Sequence, residues 1–464
     1  MTSAVVVGSG PNGLAAAVLL AQQGISVTVL EASDEIGGGT RTAELTVPGL
    51  LHDVCSAVHP FGIASPYLAT LPLQEHGLVW RWPEVDLAHP LDDGTAGVMV
   101  QSLDETCAGL GEDGPRWRRT FGPLVDVFDD LSPDVLGPLV RVPKHPLLMA
   151  RFGLRAGLPA TVLWKRFRTE RAKALFAGSS AHAFTPLNGP ATAGVGVMLA
   201  ASAHRHGWPV AEGGSHAITK ALASLLTSLG GAVETGVTVD RLPDADVVLL
   251  NTGPLAAARI AGTKQPRFRY GPGVFKVDLA VRSGIPWTAP ECRRAGTLHL
   301  GGTAAEIAAN ESAVFRGTMP DRPFVLVAQQ YLADPTRSVD DLHPVWAYAH
   351  VPAGWTGDAT EAVIAQIERF APGVRDVIEA TAVMSPADFA AYNANDVGGD
   401  IAGGANVLRQ LIARPRALKP YDLERPGVFL CSASTPPGAG VHGMGGYHAA
   451  RRALAHLGQD SPKT

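Results

Sequence analysis

A G-x-G-x-x-G turn set between a four-residue apolar run and an apolar helical pattern constrains the start of this chain more than any other feature. Ala4-Val5-Val6-Val7 is a buried strand at this length, Gly8-Ser9-Gly10-Pro11-Asn12-Gly13 is the turn, and residues 14–23 continue as a helix. In such a unit Gly8 permits the bend, Gly10 lets the backbone approach a pyrophosphate, and Gly13 allows close helix–strand packing. The helix N-terminus then faces the phosphates. Residues 25–30 form the next strand, and Glu31 follows Gly8 by 23 residues. That is near the spacing of about 20 at which a carboxylate accepts hydrogen bonds from an adenosine ribose and repels a 2′-phosphate. The reading is a dinucleotide-binding βαβ unit. The same pattern recurs at Gly109-Leu110-Gly111-Glu112-Asp113-Gly114, but a helical stretch precedes it and Pro115 follows it, so no strand aims its amides at a phosphate.

A second glycine cluster, Gly37-Gly38-Gly39-Thr40-Arg41, ends in a cation that a nicotinamide-only domain does not need. With Glu31 before it, this order resembles the FAD-dependent oxidoreductases related to phytoene desaturase and to flavin amine oxidases. Further segments carry the resemblance. Trp208-Pro209 to Glu212-Gly213-Gly214-Ser215 opens a helix through Leu229, and residues 232–242 follow as a strand. Residues 246–250 form another buried run that ends in Asn251-Thr252-Gly253-Pro254, and the strand 427–431 leads into a glycine-rich loop and a helix over 447–457. Gly438, Gly440 and Gly443 in that loop match G-x-G-x-x-G once more, but the chain lacks room after them for a complete βαβ unit with its acidic partner.

The resemblance implies an α/β fold: a Rossmann-like FAD-binding domain of the glutathione-reductase and amine-oxidase type, with a discontinuous α+β substrate domain. It implies a cofactor domain built from 1–60, 206–262 and 418–464, and a substrate domain from 61–205 and 263–417. It assigns FAD as cofactor to Gly8, Gly10, Pro11, Asn12, Gly13, Glu31, Gly38, Gly39, Arg41, Val239, Asn251, Gly253, Ser434, Gly443 and Met444. In this scheme Val239 passes the adenine, and the C-terminal helix points its positive end at the flavin, stabilising negative charge on the reduced ring.

At 464 residues, 46% hydrophobic and 17% charged, the chain can bury large cores. A net charge of −5 argues against nucleic acid as a partner. Cys55, Cys107, Cys292 and Cys431 form no C-x-x-C pair, so neither a zinc site nor a redox disulfide is expected, and no other metal site is indicated. No signal peptide precedes the first strand and no apolar run reaches about 18 residues, so the expected location is cytoplasmic. The first insert reads as mainly helical, with 190–203 as a core helix. The second has strand-like runs at 274–281, 323–327 and 345–349. Residues 141–173 carry nine Lys/Arg against the single acid Glu170, interleaved with Leu147, Phe152, Leu154, Trp164 and Phe167. This composition suits a solvated basic face over a core helix or an oligomer contact, with a membrane-surface element that meets anionic headgroups as the competing reading.

Three residues are candidates for acid–base or positioning roles. His442 lies inside the C-terminal glycine loop, His59 follows the glycine–arginine segment, and Tyr348 sits in Trp346-Ala347-Tyr348-Ala349-His350. For each, a bonded core residue is the alternative. The resemblance implies C–C desaturation, or the reverse saturation, of a hydrophobic lipid- or isoprenoid-like molecule by hydride transfer to the flavin. A flavin-dependent double-bond isomerase, an amine oxidase and a non-catalytic flavin-binding scaffold stay open. Substrate identity, electron acceptor and oligomeric state leave no motif.

Overall fold

The computed structural model describes residues 2–459. One sheet has five parallel strands in the order Val428–Leu430, Val247–Leu250, Ser3–Val7, Ser26–Leu30 and Ala232–Glu234. Strands covered on both faces read as unbroken apolar runs, which is why residues 4–7 and 247–250 show no alternation. The helices Pro11–Gln22, His216–Ser228 and Met444–His456 cover one face through Leu14, Val18, Leu222, Leu226 and Leu454. The helix Pro254–Ala261 covers the other through Ala257 and Ile260.

Three boundaries differ from expectation. The first helix begins at Pro11 rather than residue 14, because proline's fixed φ suits the first helical position. The C-terminal helix begins at Met444 rather than 447, despite Gly445 and Gly446. Packing overrides propensity there: a Cβ on Gly446 would fall 1.8 Å from the Asn12 carbonyl oxygen. The strand expected over 232–242 stops at Glu234. Gly236 turns the chain at φ +71° and the Val237 N–H donates to the Glu31 carbonyl at 2.8 Å. The chain therefore curls over Glu31 and leaves Val239 in the loop beyond, half-buried against the second small core.

The second sheet has seven strands, ordered Ile378–Met384, Gly273–Arg282, Leu342–Val351, Val325–Ala328, Ala295–Leu300, Val85–Pro90 and Ala96–Met99. Its last two strands come from the first insert, which is otherwise helical, so the two inserts share one sheet. Alternation gives its faces opposite characters. One face, with Val277, Leu279, Val345, Ala347, Val325 and Leu298, packs in an apolar core. The other carries Lys276, Asp278, Trp346, Tyr348, His350 and His299, all buried.

The helix Ala193–His206 is buried as expected of 190–203. Residues 141–173 do not form one continuous amphipathic element. They split into a loop, the helix Pro146–Ala156, the short helix Ala160–Leu163 and the start of the helix Glu170–Ala181, with Gly157 and Pro159 at the break. Among the described residues no helix is long and apolar enough to cross a membrane.

Candidate functional site

The first glycine turn works as its spacing requires. Gly8 has φ +99°, and a Cβ on Gly13 would lie 2.0 Å from the Gly8 carbonyl oxygen, so only glycine lets the helix seat on the strand. The second cluster comes back to meet it: Gly37 and Gly38 have φ +122° and +54°, and a Cβ on Gly38 would sit 3.1 Å from the Gly10 Cα. Two backbones thus oppose each other at the helix N-terminus with no side chain between them. Asn251, at the end of its strand, closes the third side, with Nδ2 3.4 Å from the Gly8 carbonyl oxygen.

Glu31 ends this ledge. The Ser9 N–H and hydroxyl donate to Oε2 at 2.8 and 2.6 Å, and the Ser33 N–H donates to Oε1 at 3.0 Å. Arg41 is 3.6 Å from Oε1, donates to the Glu35 carbonyl at 2.7 Å and lies over the Tyr392 ring. Tyr392 in turn donates to the Gly38 carbonyl at 2.8 Å. Arg41 therefore holds the loop and the carboxylate together. Gly253 donates its N–H to Asn395 Oδ1 at 2.7 Å, stapling the Asn251–Gly253 turn.

The residues fit a dinucleotide. A ledge without Cβ atoms lies at a helix N-terminus, where unpaired N–H groups gather, and a buried carboxylate stands at its end. Asn12 Oδ1 and Thr252 Oγ1, in the two turns that border it, are buried without hydrogen-bond partners.

The C-terminal loop packs against the same helix. A Cβ on Gly443, at φ +68°, would lie 2.9 Å from Ala15 Cβ. Val441 is held at φ +57°, a costly conformation for a β-branched residue. His442 accepts the Met444 N–H on Nδ1 at 3.0 Å, and its own carbonyl accepts from Ser65 Oγ at 2.6 Å. Burial pushes its pKa down to about 4. Ser434 is buried on the same loop, its N–H bonded to Ser432 Oγ at 3.3 Å.

His59 shares a turn with this loop. A Cβ on Gly62 would lie 3.1 Å from His59 Cβ and 3.7 Å from the Val441 carbonyl oxygen. His59 Nε2 pairs with Ser215 Oγ at 2.8 Å, and burial lowers its pKa to about 4. Tyr348 stands apart, on the polar face of the seven-stranded sheet. It meets the first site through Cys55, which lies beside Gly39 and, after burial, is the next cause holding the Tyr348 hydroxyl protonated. The structure thus gathers the glycine turns, Glu31, Arg41, Asn251, His59 and His442 around one helix N-terminus, with Val239 beyond Glu31 and Tyr348 across Cys55.

Sequence reading missed two buried charge clusters beside these residues. Lys276 pairs with Asp278, and His52 Nδ1 lies 3.4 Å from Asp278 Oδ1. A lysine and an aspartate two apart in an otherwise apolar strand must share a face, which was the available signal. Arg337 binds Asp53, reaches Asp334 at 3.0 Å and donates to the Ala211 carbonyl at 2.7 Å. Burial pushes Asp53 up, but Arg337 and the Ser215 amide hold it below the usual carboxylate range. No local pattern links residues 53, 211 and 337.

Residues 6–70 match the NAD(P)-binding Rossmann-like domain family. The chain is 25% identical to mouse pyridine nucleotide-disulfide oxidoreductase domain-containing protein 2, over 96% of this chain and 92% of that protein. It is 26% identical to the hydroxyneurosporene desaturase of Rubrivivax gelatinosus, over 56% of this chain and 51% of the desaturase. The solved structure of wild-type putrescine oxidase bound to putrescine shares the fold, with a TM-score of 0.59 and 19% identity over 98% of both chains.

Proposed function

We propose that the chain is a phytoene-desaturase-like oxidoreductase of the flavin amine oxidase superfamily, as its partial likeness to a desaturase and its Rossmann-like segment support, and that it holds non-covalent FAD and desaturates, or in reverse saturates, a C–C bond of a hydrophobic substrate. The observation that carries this reading is the ledge where the Gly10 and Gly38 backbones meet free of Cβ atoms at a helix N-terminus, ended by the buried Glu31. When bound, FAD supplies a two-electron acceptor for hydride from a substrate C–H bond.

The chain's own residues bind and orient. Glu31 receives ribose hydroxyls, the amides at the start of the helix Pro11–Gln22 face phosphate, and the C-terminal helix faces the ring from Gly443. His442 fixes that helix start through Nδ1. The buried Lys276–Asp278 pair lies on the polar face of the seven-stranded sheet, in the part read as the substrate domain.

Purified protein is expected to be yellow and to release FAD on denaturation. Glu31→Gln, which keeps the shape, should weaken FAD binding on the order of tenfold or more, the scale of a charge-assisted hydrogen bond. Colourless protein that cannot be reconstituted sinks the cofactor reading. Product mass after anaerobic reduction tests the reaction: a loss of two mass units marks desaturation, unchanged mass marks isomerisation.

The chain's basic stretch supports a second part of the reading, peripheral contact with an anionic bilayer. Residues 139–168 carry seven Lys/Arg and no acid. Leu139, Val140, Val142, Leu147, Leu154 and Val162 are six of the fourteen exposed large hydrophobic side chains among the described residues, and Val142, Leu147 and Leu154 are 89, 79 and 74% exposed. Arg141 and Arg168 pair with Asp134 and Glu112 outside the stretch, and apolar side chains standing out among the remaining cations match a surface of acyl chains under anionic headgroups.

A further inference from the structure

Three neighbouring parallel strands end side by side: Ser3–Val7 at the Gly8–Gly13 turn, Val247–Leu250 at Asn251–Gly253, and Val428–Leu430 at the loop 431–443. Ligands of open α/β sheets bind outside the carboxyl ends of the strands, so this loop shares the edge that the two cofactor turns occupy. One side chain of the second insert reaches into it. Arg414 donates from Nη2 to the Ala433 carbonyl at 3.3 Å, and a Cβ on Gly438 would stand 4.0 Å from its Cζ. The guanidinium therefore lies along residues 433–438.

Its charge has no ion-pair partner. Of the three buried arginines, Arg41 meets Glu31 and Arg337 meets Asp53 and Asp334, whereas no carboxylate of the described residues lies within 4.0 Å of Arg414. Its other bonds go to neutral oxygens, Asn406 Oδ1 at 2.7 Å and the Ala402 carbonyl at 2.6 Å, and Nε is buried with no partner. Asp400, the acid whose field it feels, is committed to the amides of Gly271, Ala402 and Gly404 at 2.6, 2.9 and 2.9 Å. Burial lowers the Arg414 pKa to about 10 against the pull of Asp400, so the charge persists at neutral pH. An unpaired buried cation is costly, and a bound group that becomes negative relieves that cost.

We propose that Arg414 is the fixed cation that sets the reduction potential of the bound flavin, acting by its field through the loop 433–438 rather than by contact. The flavin ring is neutral when oxidised and negative when reduced. A positive charge held at this edge stabilises the reduced form, in the same sense as the positive end of the helix Met444–His456. This deepens the FAD reading and rests on it.

Equilibration of the FAD-loaded chain with a redox dye of known potential tests it. Arg414→Met is expected to weaken binding of reduced relative to oxidised FAD about tenfold or more, which for a two-electron couple is a fall of about 30 mV. Arg414→Lys keeps the charge and should keep the potential. Asn406→Asp sets a carboxylate against the guanidinium, and should lower the potential by a similar amount with Arg414 still in place. Asn406→Leu gives up the same bond to the Ala183 carbonyl at 3.1 Å without adding charge, and should leave the potential unchanged. A purely structural Arg414 predicts equal potentials in the two Asn406 variants. That result, or an unchanged potential in Arg414→Met, would overturn the proposal. If Arg414→Met does not fold, the Asn406 pair decides alone. Colour separates the two readings: wild-type protein that stays colourless after reconstitution sinks both, whereas a yellow protein whose potential ignores these changes sinks this one and leaves FAD in place.

Discussion

Arg337 shows how much of this fold hangs on single side chains. Its guanidinium is wholly buried between Asp53 and Asp334, and through them it ties the strand Leu51–Asp53, the segment at Ala211 and the second insert together. Removing one partner from such a cluster leaves buried carboxylates uncompensated, which costs about 3–5 kcal/mol. Arg337→Met should lower the urea midpoint accordingly. A loss under about 1 kcal/mol would show that Asp53 finds another partner. His442 gives a contrasting expectation. With Nδ1 committed to the Met444 amide and a pKa near 4, it is a poor store for a proton at neutral pH. His442→Asn is therefore expected to shift the flavin spectrum and FAD affinity, while reduction by substrate slows less than the roughly 100-fold typical of a lost acid–base group. A slowing beyond that, with FAD binding intact, would restore it as a proton carrier.

Helix contacts set the next level. The helices Pro11–Gln22 and Met444–His456 cross so closely that Gly446→Ala would press a Cβ against the Asn12 backbone. Backbone cannot yield as a side chain does, so a stability loss of about 1–3 kcal/mol with weakened FAD retention is expected from melting curves and cofactor release. The broken basic stretch makes a separate prediction. Liposome binding should require anionic lipid and fall as salt rises, since headgroup attraction is screened within about 8 Å at 0.15 M ionic strength. Changing Lys165, Arg166 and Arg168 to glutamate should abolish it, and binding indifferent to lipid charge would return the stretch to a solvated face. Most of these elements were legible in sequence because they depend on local pattern: the turn at Gly8–Gly13, the second glycine cluster, the strands at 247–250 and 273–282. What stayed hidden depends on encounters between distant segments. Only the arrival of residue 446 at residue 12 explains a helix that begins with two glycines, and only the curl of residues 236–237 over Glu31 explains a strand that stops early.

The whole molecule has a pH response that follows from its buried imidazoles. Burial lowers His59, His89, His204 and His442 to about 4, and His182 and His448 to about 3. Unfolded, these rings bind protons near 6.5. Between about pH 6.5 and 4 the unfolded chain therefore holds more protons, and stability falls as pH is lowered through that window. Burial raises Asp86 to about 7 and also raises Asp396 and Asp400, which opposes the trend because folded carboxyls keep protons that unfolded ones release. The histidines outnumber them, so melting temperature should drop steadily from pH 6.5 to 4. A flat profile would mean that the rings do not stay neutral in the fold. The strand order of the five-stranded sheet has a consequence for synthesis as well. Ser3–Val7 pairs with Val247–Leu250, which in turn waits for Val428–Leu430. At ribosomal speeds of about 5–20 residues per second, roughly 20 to 90 s separate emergence of the first strand from that of the last. The nascent chain carries an open sheet edge throughout that interval, a row of unpaired backbone groups able to pair with another chain until Val428–Leu430 arrives to cover it.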